Sequence, residues 1–328
     1  MPGSPAASNW NGRRIEIGRL THWQSFRNSV PWRLTADGIL TGRGPVRVHP
    51  REHYRLKSVP RAWRKYGTLI RAAARRYRVP VELFLAIIVN ESALDPRAFQ
   101  TYRGYIDDRE TPDRISVGLG AILISTARYM LKDESIDRAW LENPANNIRM
   151  IGLYLHRQYR LTGFDPPKVA AAYNAGGLYR QNGRKNRWKL RNYPLGHAVY
   201  IDLFVAVFDE SMRYFARHPH RPRESFAALF ARDSIVAACA QIPKARFSGP
   251  LAQAAVRQPV AYEIGSELVL ASGRSGRAGR PGRGGQPEDF LSRLNRHQRA
   301  RISLQSRISG MVPDDPAFRA APAGRRAR

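Results

Sequence analysis

The stretch VELFLAIIVNES, residues 81–92, decides the fold of this chain. It is apolar on nearly every side, whereas a helix on a protein surface shows a polar face, so it predicts a buried central helix. The run ends in a single carboxylate, Glu91, followed by Ser92. A helix buried all round needs other elements packed against it, so we expect a mainly helical domain around this segment.

The flanking segments have the periodicity of further helices and one hairpin. Apolar residues recur at helical spacing in residues 61–78, 118–131, 144–160, 166–177, 197–218 and 223–240. Residues 31–49 instead alternate apolar and polar side chains around Asp37-Gly38, which is typical of a hairpin with two short strands. Residues 93–115, with prolines at 96 and 112, predict a long loop.

These patterns predict a mainly α fold in three parts. Residues 1–59 form an N-terminal extension with a short β-hairpin, residues 60–218 the helical domain, and residues 219–328 a helical and then low-complexity basic tail. The segment GRSGRAGRPGRGG, 273–285, has nothing to bury and predicts disorder. Residues 287–309 predict a basic amphipathic helix that could dock on a partner.

The charge of the chain is strongly positive. There are 55 lysines and arginines against 26 acidic residues, a net charge of +29, and only 7 of the cations are lysine. Genomic base composition can explain the preference for arginine over lysine. The charge itself still attracts polyanions, and nucleic acid, anionic lipid and an acidic cell-wall polymer all qualify.

Several features of the sequence limit the possible cofactors and the cellular location. Cys239 is the only cysteine, which excludes an internal disulfide and cysteine-cluster metal sites, and we predict neither a metal nor a cofactor. Residues 1–18 lack the apolar core of a secretory signal, and the longest apolar run, 83–89, is too short to span a bilayer. We expect synthesis in the cytoplasm, no membrane span, and another delivery route to any target outside the membrane.

Glu91 is a candidate for acid–base chemistry. A carboxylate at the C-terminal end of a helix faces the negative end of the helix dipole, and apolar neighbours desolvate it. Both effects raise the pKa of a carboxyl group, which lets it donate a proton near neutral pH. Taken alone, however, the position favours the simpler alternative, a helix end that meets water.

A second candidate is AAAYNAGG, residues 170–177. Its small residues allow close helix packing, and Asn174 with the following glycine pair could bring backbone close to a ligand. The alternative is an ordinary Asn/Gly helix stop with Tyr173 in the core.

The order of several motifs resembles a known family. They are ES at 91–92, SVGL at 116–119 followed by ISTA at 124–127, PANNIRMIGLYL at 144–155, AAYNAGG at 171–177, and Tyr200 within HAVYIDLF. Over residues 60–215 the chain resembles the lytic transglycosylases of glycoside hydrolase family 23, which are related to goose-type lysozyme. The segments WRLTADGIL, GYIDDRETPDRIS and TGFDPP resemble a phage and prophage subgroup.

The resemblance implies a lysozyme-like fold and peptidoglycan glycan strands as the substrate. It implies cleavage between N-acetylmuramic acid and N-acetylglucosamine, with a 1,6-anhydro product and Glu91 as the single catalytic acid and base. The supporting positions implied are Ser116 near the cleavage subsites, Gly118 and Leu119 at the start of a Gly-Leu-Met-Gln motif, Tyr173 and Asn174 along the glycan groove, and Tyr200 near the carboxyl group.

The chain departs from the family at Gly120-Ala121, where Met-Gln is usual. Alanine cannot replace the hydrogen bond of glutamine to the saccharide, a loss on the order of 1 kcal/mol that would slow the enzyme. A hydrolytic muramidase and a weakened, glycan-binding relative therefore stay open as alternatives.

An alternative of another class is a basic nucleic-acid-binding or virion structural protein, although no recognised DNA-binding motif is present. Under either class, phage structural proteins or polyanions could be partners of the basic tail. The enzyme would act on the cell wall, as a virion or lysis component.

Overall fold

The structure is a computed structural model that describes residues 9–10, 13–14, 17–193, 195–218 and 220–231. The predictions for residues 273–285 and 287–309 lie outside these residues. So does the second half of the predicted helix 223–240; of its first half, residues 226–231 are helical and residues 223–225 are not.

The described chain is mostly helical, as predicted. The α-helices are α1 (Ile17–Thr21), α2 (His53–Leu56), α3 (Val59–Tyr77), α4 (Val81–Ser92), α5 (Ile124–Leu131), α6 (Arg138–Glu142), α7 (Pro144–Thr162), α8 (Pro166–Ala175) and α9 (Val199–Arg217). Two short 3-10 helices cover Pro50–Glu52 and Pro112–Arg114. No helix in the described ranges is both long enough and apolar enough to cross a membrane.

The helix α4 is the centre of the core. Every residue from Val81 to Val89 is buried, and α4 packs mainly against α9 and α3 and also against α7. The prediction of a buried central helix over residues 81–92 is confirmed. Burial of this helix fixes the position of its last turn, where Glu91 lies.

The predicted N-terminal hairpin is also present. Strands β3 (Trp32–Thr35), β4 (Gly38–Thr41) and β5 (Gly44–Pro45) form an antiparallel sheet in that order, after a two-residue pair of strands, β1 (Asn9–Trp10) and β2 (Arg13–Arg14). Gly38 has a φ of +117°, and a Cβ atom there would lie 2.2 Å from Oδ1 of Asp209 on α9. Only glycine allows the hairpin to approach α9 so closely.

Two aromatic side chains hold the sheet against the helices. Trp32 is fully buried, its Nε1 donates to Oδ1 of Asp165 at 2.9 Å, and its ring meets the edge of Trp188 at 5.4 Å. Nε1 of Trp188 donates in turn to Oδ1 of Asp202 on α9 at 2.7 Å. The hairpin is therefore built into the same core as the helices.

The prediction of a helix over residues 118–131 is wrong in its first part. Residues 118–121 form a turn, residues 122–123 form a strand, and the helix begins only at Ile124. Gly118 and Ala121 have left-handed φ values of +77° and +46°, which a continuous right-handed helix cannot include. Packing against α7 imposes this backbone, as the contacts of Asn147 described below show.

A second sheet begins inside the segment predicted as a loop, residues 93–115, and ends inside the segment predicted as a helix, residues 118–131. Its strands are β6 (Phe99–Thr101), β7 (Ile115–Val117) and β8 (Ile122–Leu123), paired antiparallel in that order. Strands of two or three residues leave almost no alternation in the sequence, which explains why the pattern did not indicate them.

Candidate active site

Glu91 lies in the last turn of α4, and its side chain is half-buried. The helix ends because Ala93 adopts a left-handed φ of +51°. Tyr200, in the first turn of α9, donates its hydroxyl hydrogen to Oε1 of Glu91 over 2.5 Å. The structure thus brings together two residues that lie 109 positions apart in the chain.

A guanidinium group caps the same helix end. Nη1 of Arg55, on α2, donates to the carbonyl oxygens of Val89 and Asn90, each at 3.0 Å. Its Nε lies 2.7 Å from Oε2 of Glu52. The last carbonyl groups of a helix have no partner within the helix, and a cation there opposes the negative end of the dipole. Arg55 therefore fixes the backbone that carries Glu91.

The turn at residues 118–121 is held by Asn147 of α7. Its Oδ1 accepts from the amide of Gly120 at 2.8 Å, and its Nδ2 donates to the carbonyl oxygens of Val117 and Leu141 at 3.0 and 2.9 Å. A Cβ atom on Gly118 would lie 2.2 Å from Nδ2 of Asn147, so the close approach requires glycine. Leu119, between them, is fully buried.

Tyr173 supports the turn from α8. Its side chain is buried, and its hydroxyl donates to the carbonyl oxygen of Gly120 at 2.7 Å. Its ring meets the edge of Tyr154 at a centroid distance of 5.2 Å. Oδ1 of the neighbouring Asn174 accepts from the amide of Tyr193 at 2.8 Å and so holds the loop after α8. Tyr173 therefore holds the backbone of the turn at residues 118–121, and Asn174 holds the backbone of the loop after α8.

Ser116 lies in the middle of β7 and is buried. Its Oγ is 3.1 Å from the hydroxyl oxygen of Tyr102, which is also buried. The pair links the sheet to the loop that follows β6. A place near the cleavage subsites stays a prediction for Ser116.

Ala121 closes the turn. Its amide donates to the carbonyl oxygen of Gly118 at 3.0 Å, and its side chain is half-buried. A longer side chain at this position, such as the glutamine of the family that the sequence resembles, could therefore extend toward solvent.

The acidic residues of the loop after β6 have structural contacts. Asp107 accepts from the amides of Arg109 and Glu110 at 2.9 and 2.7 Å, and Asp108 accepts from the hydroxyl of Tyr105 at 2.7 Å. These bonds are typical of groups that shape a turn rather than donate protons to a substrate.

Two other carboxyl groups are buried and have raised pKa values. Burial raises the pKa of Glu82 to about 7 and that of Asp209 to about 8, while backbone hydrogen bonds partly oppose the shift. Glu82, in the first turn of α4, accepts from the amide of Ala227 at 3.1 Å, and Asp209 accepts from the amide of Ile39 at 2.7 Å. Each ties a distant segment of chain to a core helix.

Sequence reasoning did not assign a role to Arg55 or Asn147. Asn147 lies in the segment PANNIRMIGLYL, but an asparagine in a helix does not indicate which backbone groups it will bind. Arg55 is one of 48 arginines and lies 34 positions from its partner Val89, so no local pattern marks it. No group of three metal-ligating side chains occurs within the residues that the structure describes.

A half-buried glutamate at a helix end, oriented by a tyrosine hydroxyl inside a mainly helical domain, is an arrangement suited to general acid–base catalysis. The family model described as the Transglycosylase SLT domain matches residues 68–195 of the chain. This match supports a lytic transglycosylase family and a peptidoglycan-degrading enzyme of that type. The chain matches no curated protein. The matched range contains Glu91, Tyr173 and Asn174 and ends before Tyr200.

Proposed function

We propose that the protein is a peptidoglycan lytic transglycosylase in which Glu91 is the only catalytic acid and base. The observation that carries the proposal is the contact of the Tyr200 hydroxyl with Oε1 of Glu91, because it orients a half-buried carboxyl group at the end of a helix inside the matched range. Membership of glycoside hydrolase family 23 and of its phage and prophage subgroup remains a prediction from the sequence resemblance.

The proposed reaction begins with protonation of the oxygen that joins N-acetylmuramic acid to N-acetylglucosamine. Glu91 donates this proton, the glycosidic bond breaks, and the N-acetylglucosamine side leaves as an alcohol. The 2-acetamido group of the substrate stabilises the positive charge at the anomeric carbon of N-acetylmuramic acid.

The Glu91 carboxylate then accepts the proton of the C6 hydroxyl group of the same sugar. Its oxygen bonds to the anomeric carbon and closes a 1,6-anhydro ring. The glutamate ends protonated, as it began, so one carboxyl group completes the cycle. Ordinary glycosidases need a second carboxylate for this part of the reaction.

The functions of the supporting residues follow from their contacts. Tyr200 holds the carboxyl group, Arg55 holds the helix end that carries it, and Asn147 and Tyr173 hold the turn at residues 118–121. We propose that Gly118 and Leu119 shape that turn for the glycan strand, and that Asn174 shapes the loop across from it.

The test is the variant Glu91→Gln, which keeps the size of the side chain and removes its proton chemistry. We expect loss of clearing of purified cell walls by at least about 100-fold, the contribution typical of a general acid. A matched control is Glu134→Gln, an exposed acid inside the same matched range, which should clear walls at the wild-type rate. Equal clearing by the Glu91 variant and the wild type would rule out the assignment.

The products separate transglycosylation from the hydrolytic alternative. Mass spectrometry of digested wall should show 1,6-anhydro ends, which weigh one water less than reducing ends. Reducing ends alone would instead identify a muramidase. A weakened, glycan-binding protein is the second candidate, and Ala121 favours it because the side chain cannot donate to a saccharide.

A further inference from the structure

The charged residues on the solvent face of α3 are all basic. We name the α3 basic row after its six exposed cations, Arg61, Arg64, Lys65, Arg71, Arg75 and Arg76. The helix Val59–Tyr77 contains no acidic residue. At the rise of an α-helix, the row is about 22 Å long from its first to its last member.

The charges of the row repel one another within α3, although Lys65 lies over the ring of Tyr66, Arg71 over that of Trp63 and Arg76 over that of Tyr77. Arg61 and Lys65, and likewise Arg71 and Arg75, are four positions apart, so like charges face each other on one side of the helix. Within the ranges that the structure describes, all the ion pairs involve other residues. The opposite face of α3 already supplies the core contacts, including Tyr66 and Ile70.

Genomic preference for arginine does not explain the row, because the charges of this protein are segregated. Residues 107–142 contain eight acidic residues and five cations, whereas α3 contains six cations and no acid. A preference for arginine over lysine changes which cation is used. It does not explain why α3 contains no acidic residue while residues 107–142 contain eight.

The row continues onto α7 through a groove. The groove has a volume of about 370 Å³ and an apolar floor that includes Leu69, Ala72 and Ala145. Arg76 of α3 and the exposed Arg149 of α7 line it together. The basic surface therefore spans two packed helices of the domain.

The other end of the row lies near the proposed catalytic residue. Tyr66, five residues along the helix from Arg61, donates its hydroxyl hydrogen to the carbonyl oxygen of Leu94 at 3.1 Å. Leu94 lies just beyond the end of α4 that carries Glu91. The row thus begins at the level of the candidate active site and runs away from it.

We propose that the α3 basic row binds the peptide-stem carboxylates of the cell wall and keeps the enzyme on its polymer. The choice of partner rests on the proposed function, because the substrate of a peptidoglycan-cleaving enzyme is itself an anionic, cross-linked polymer. Arginine forks match carboxylate groups with two parallel hydrogen bonds, and five of the six cations are arginine. A row of them fits a partner that repeats its charge along a polymer.

The test compares two triple variants in a Glu91→Gln background, so that the wall stays intact during the measurement. One carries Arg71→Gln, Arg75→Gln and Arg76→Gln. Its matched control carries Arg43→Gln, Arg184→Gln and Lys185→Gln, three exposed cations elsewhere with the same change in net charge. Thermal unfolding checks that both fold, and binding is measured by co-sedimentation with purified sacculi.

We expect the α3 variant to bind sacculi about tenfold more weakly, the sum of three exposed ion pairs, and the control to change less than about twofold. Sacculi whose carboxylates have been amidated should bind the unsubstituted row and the α3 variant equally weakly. Equal losses in both triples would show that only net charge matters and would overturn the proposal. So would unchanged binding to amidated sacculi, or tighter α3-dependent binding to duplex DNA than to sacculi.

A separate measurement distinguishes this proposal from the proposed function. With Glu91 present, the α3 variant should cleave short soluble glycan fragments at the wild-type rate, since these cannot reach the far half of the row. If no version cleaves fragments or walls while binding still depends on α3, the row binds the wall and the proposed catalysis is wrong. If cleavage persists and binding is independent of α3, only the present inference fails.

Discussion

The hydroxyl group of Tyr200 and the carboxyl group of Glu91 form the shortest contact of the candidate site, at 2.5 Å. The bond restricts the rotation of the glutamate side chain at the helix end. Orientation of the proton donor toward one glycosidic oxygen is what the proposed reaction needs from this tyrosine.

We therefore expect Tyr200→Phe to lower kcat about tenfold, the value of one lost hydrogen bond, with little change in KM. Rates are measured by release of soluble muropeptides from purified wall. Tyr214→Phe on the same helix is the control, since that ring packs against Phe215 and should work as well without its hydroxyl. A Tyr200 variant with wild-type kcat would mean that the bond does not orient the acid.

Ala121 is the second position at which we expect a single side chain to affect activity. The backbone already adopts a left-handed φ of +46° there, and glutamine costs no more than alanine in that conformation. We expect Ala121→Gln to raise activity about fivefold, chiefly through a lower KM, by restoring one hydrogen bond of about 1 kcal/mol to the saccharide. Unchanged activity with unaltered substrate affinity would mean that the groove is built differently here.

At the scale of single elements, the C-terminal end of α4 depends on a helix outside the matched range. α2 precedes residue 68, yet its Arg55 satisfies two carbonyl oxygens next to Glu91. The N-terminal extension is therefore part of the support of the candidate site.

We expect Arg55→Met, which keeps the apolar stem and removes the guanidinium, to lower the free energy of unfolding by about 1–3 kcal/mol. It should also lower kcat, because the turn that carries Glu91 is no longer fixed. Chemical denaturation and wall clearing measure the two effects. Arg51→Met, an exposed neighbour, is the control, and Arg55→Lys should restore part of the loss. An Arg55→Met variant as stable as the control would argue against the cap.

At the scale of the whole molecule, buried carboxyl groups join segments that lie far apart in the chain. Asp209 of α9 binds the amide of Ile39 in the hairpin, 170 positions away, and Arg213 is the charged group that opposes the rise of its pKa. Glu82 binds the amide of Ala227, 145 positions away. Both groups have pKa values raised by burial.

The sign of their effect on stability follows from proton binding. The pKa of Asp209 is about 8 in the folded protein against 3.8 for the free side chain, so between these values the folded state holds a proton that the unfolded state has released. Stability must therefore fall as the pH rises through this window. Glu82 acts in the same direction up to about pH 7.

We expect Asp209→Asn to remove part of this dependence, because the amide oxygen still accepts from Ile39 but does not ionise. Between pH 5 and pH 8 the wild type should lose on the order of 3 to 4 kcal/mol more than the variant. Urea denaturation at a series of pH values measures both curves, and Glu134→Gln, an exposed acid, should follow the wild type. Parallel curves for Asp209→Asn and the wild type would show that folding does not raise the pKa of Asp209.

The parts of the fold that were predicted correctly are those whose cause is local. The apolar run at 81–92, the Pro144 start of α7 and the Asp37-Gly38 turn each specify backbone within a few residues. Within the candidate site, the position of residues at helix ends pointed to Glu91 and to the helix end at Asn174. The other positions came from the family resemblance, because their spacing in the chain has no period that a pattern could reveal.

The turn at residues 118–121 illustrates what local patterns could not supply. Its residues are apolar enough for a helix, and the left-handed backbone appears only because Asn147 binds Val117 and Gly120 from another helix. The short strands β6–β8 and the Arg55 cap likewise depend on partners brought together by packing.

By itself, then, the sequence determined that this is a mainly helical protein with a central apolar helix, a hairpin in front and a carboxylate at that helix's end. Periodicity and turn residues act over one or two turns of chain, so they suffice for that. Only the tertiary structure decided that Tyr200 meets Glu91, that Arg55 caps the helix end and that Asn147 holds the turn, since these residues reach their partners across long separations. Such contacts arise when burial of α4 forces the elements around it into one arrangement.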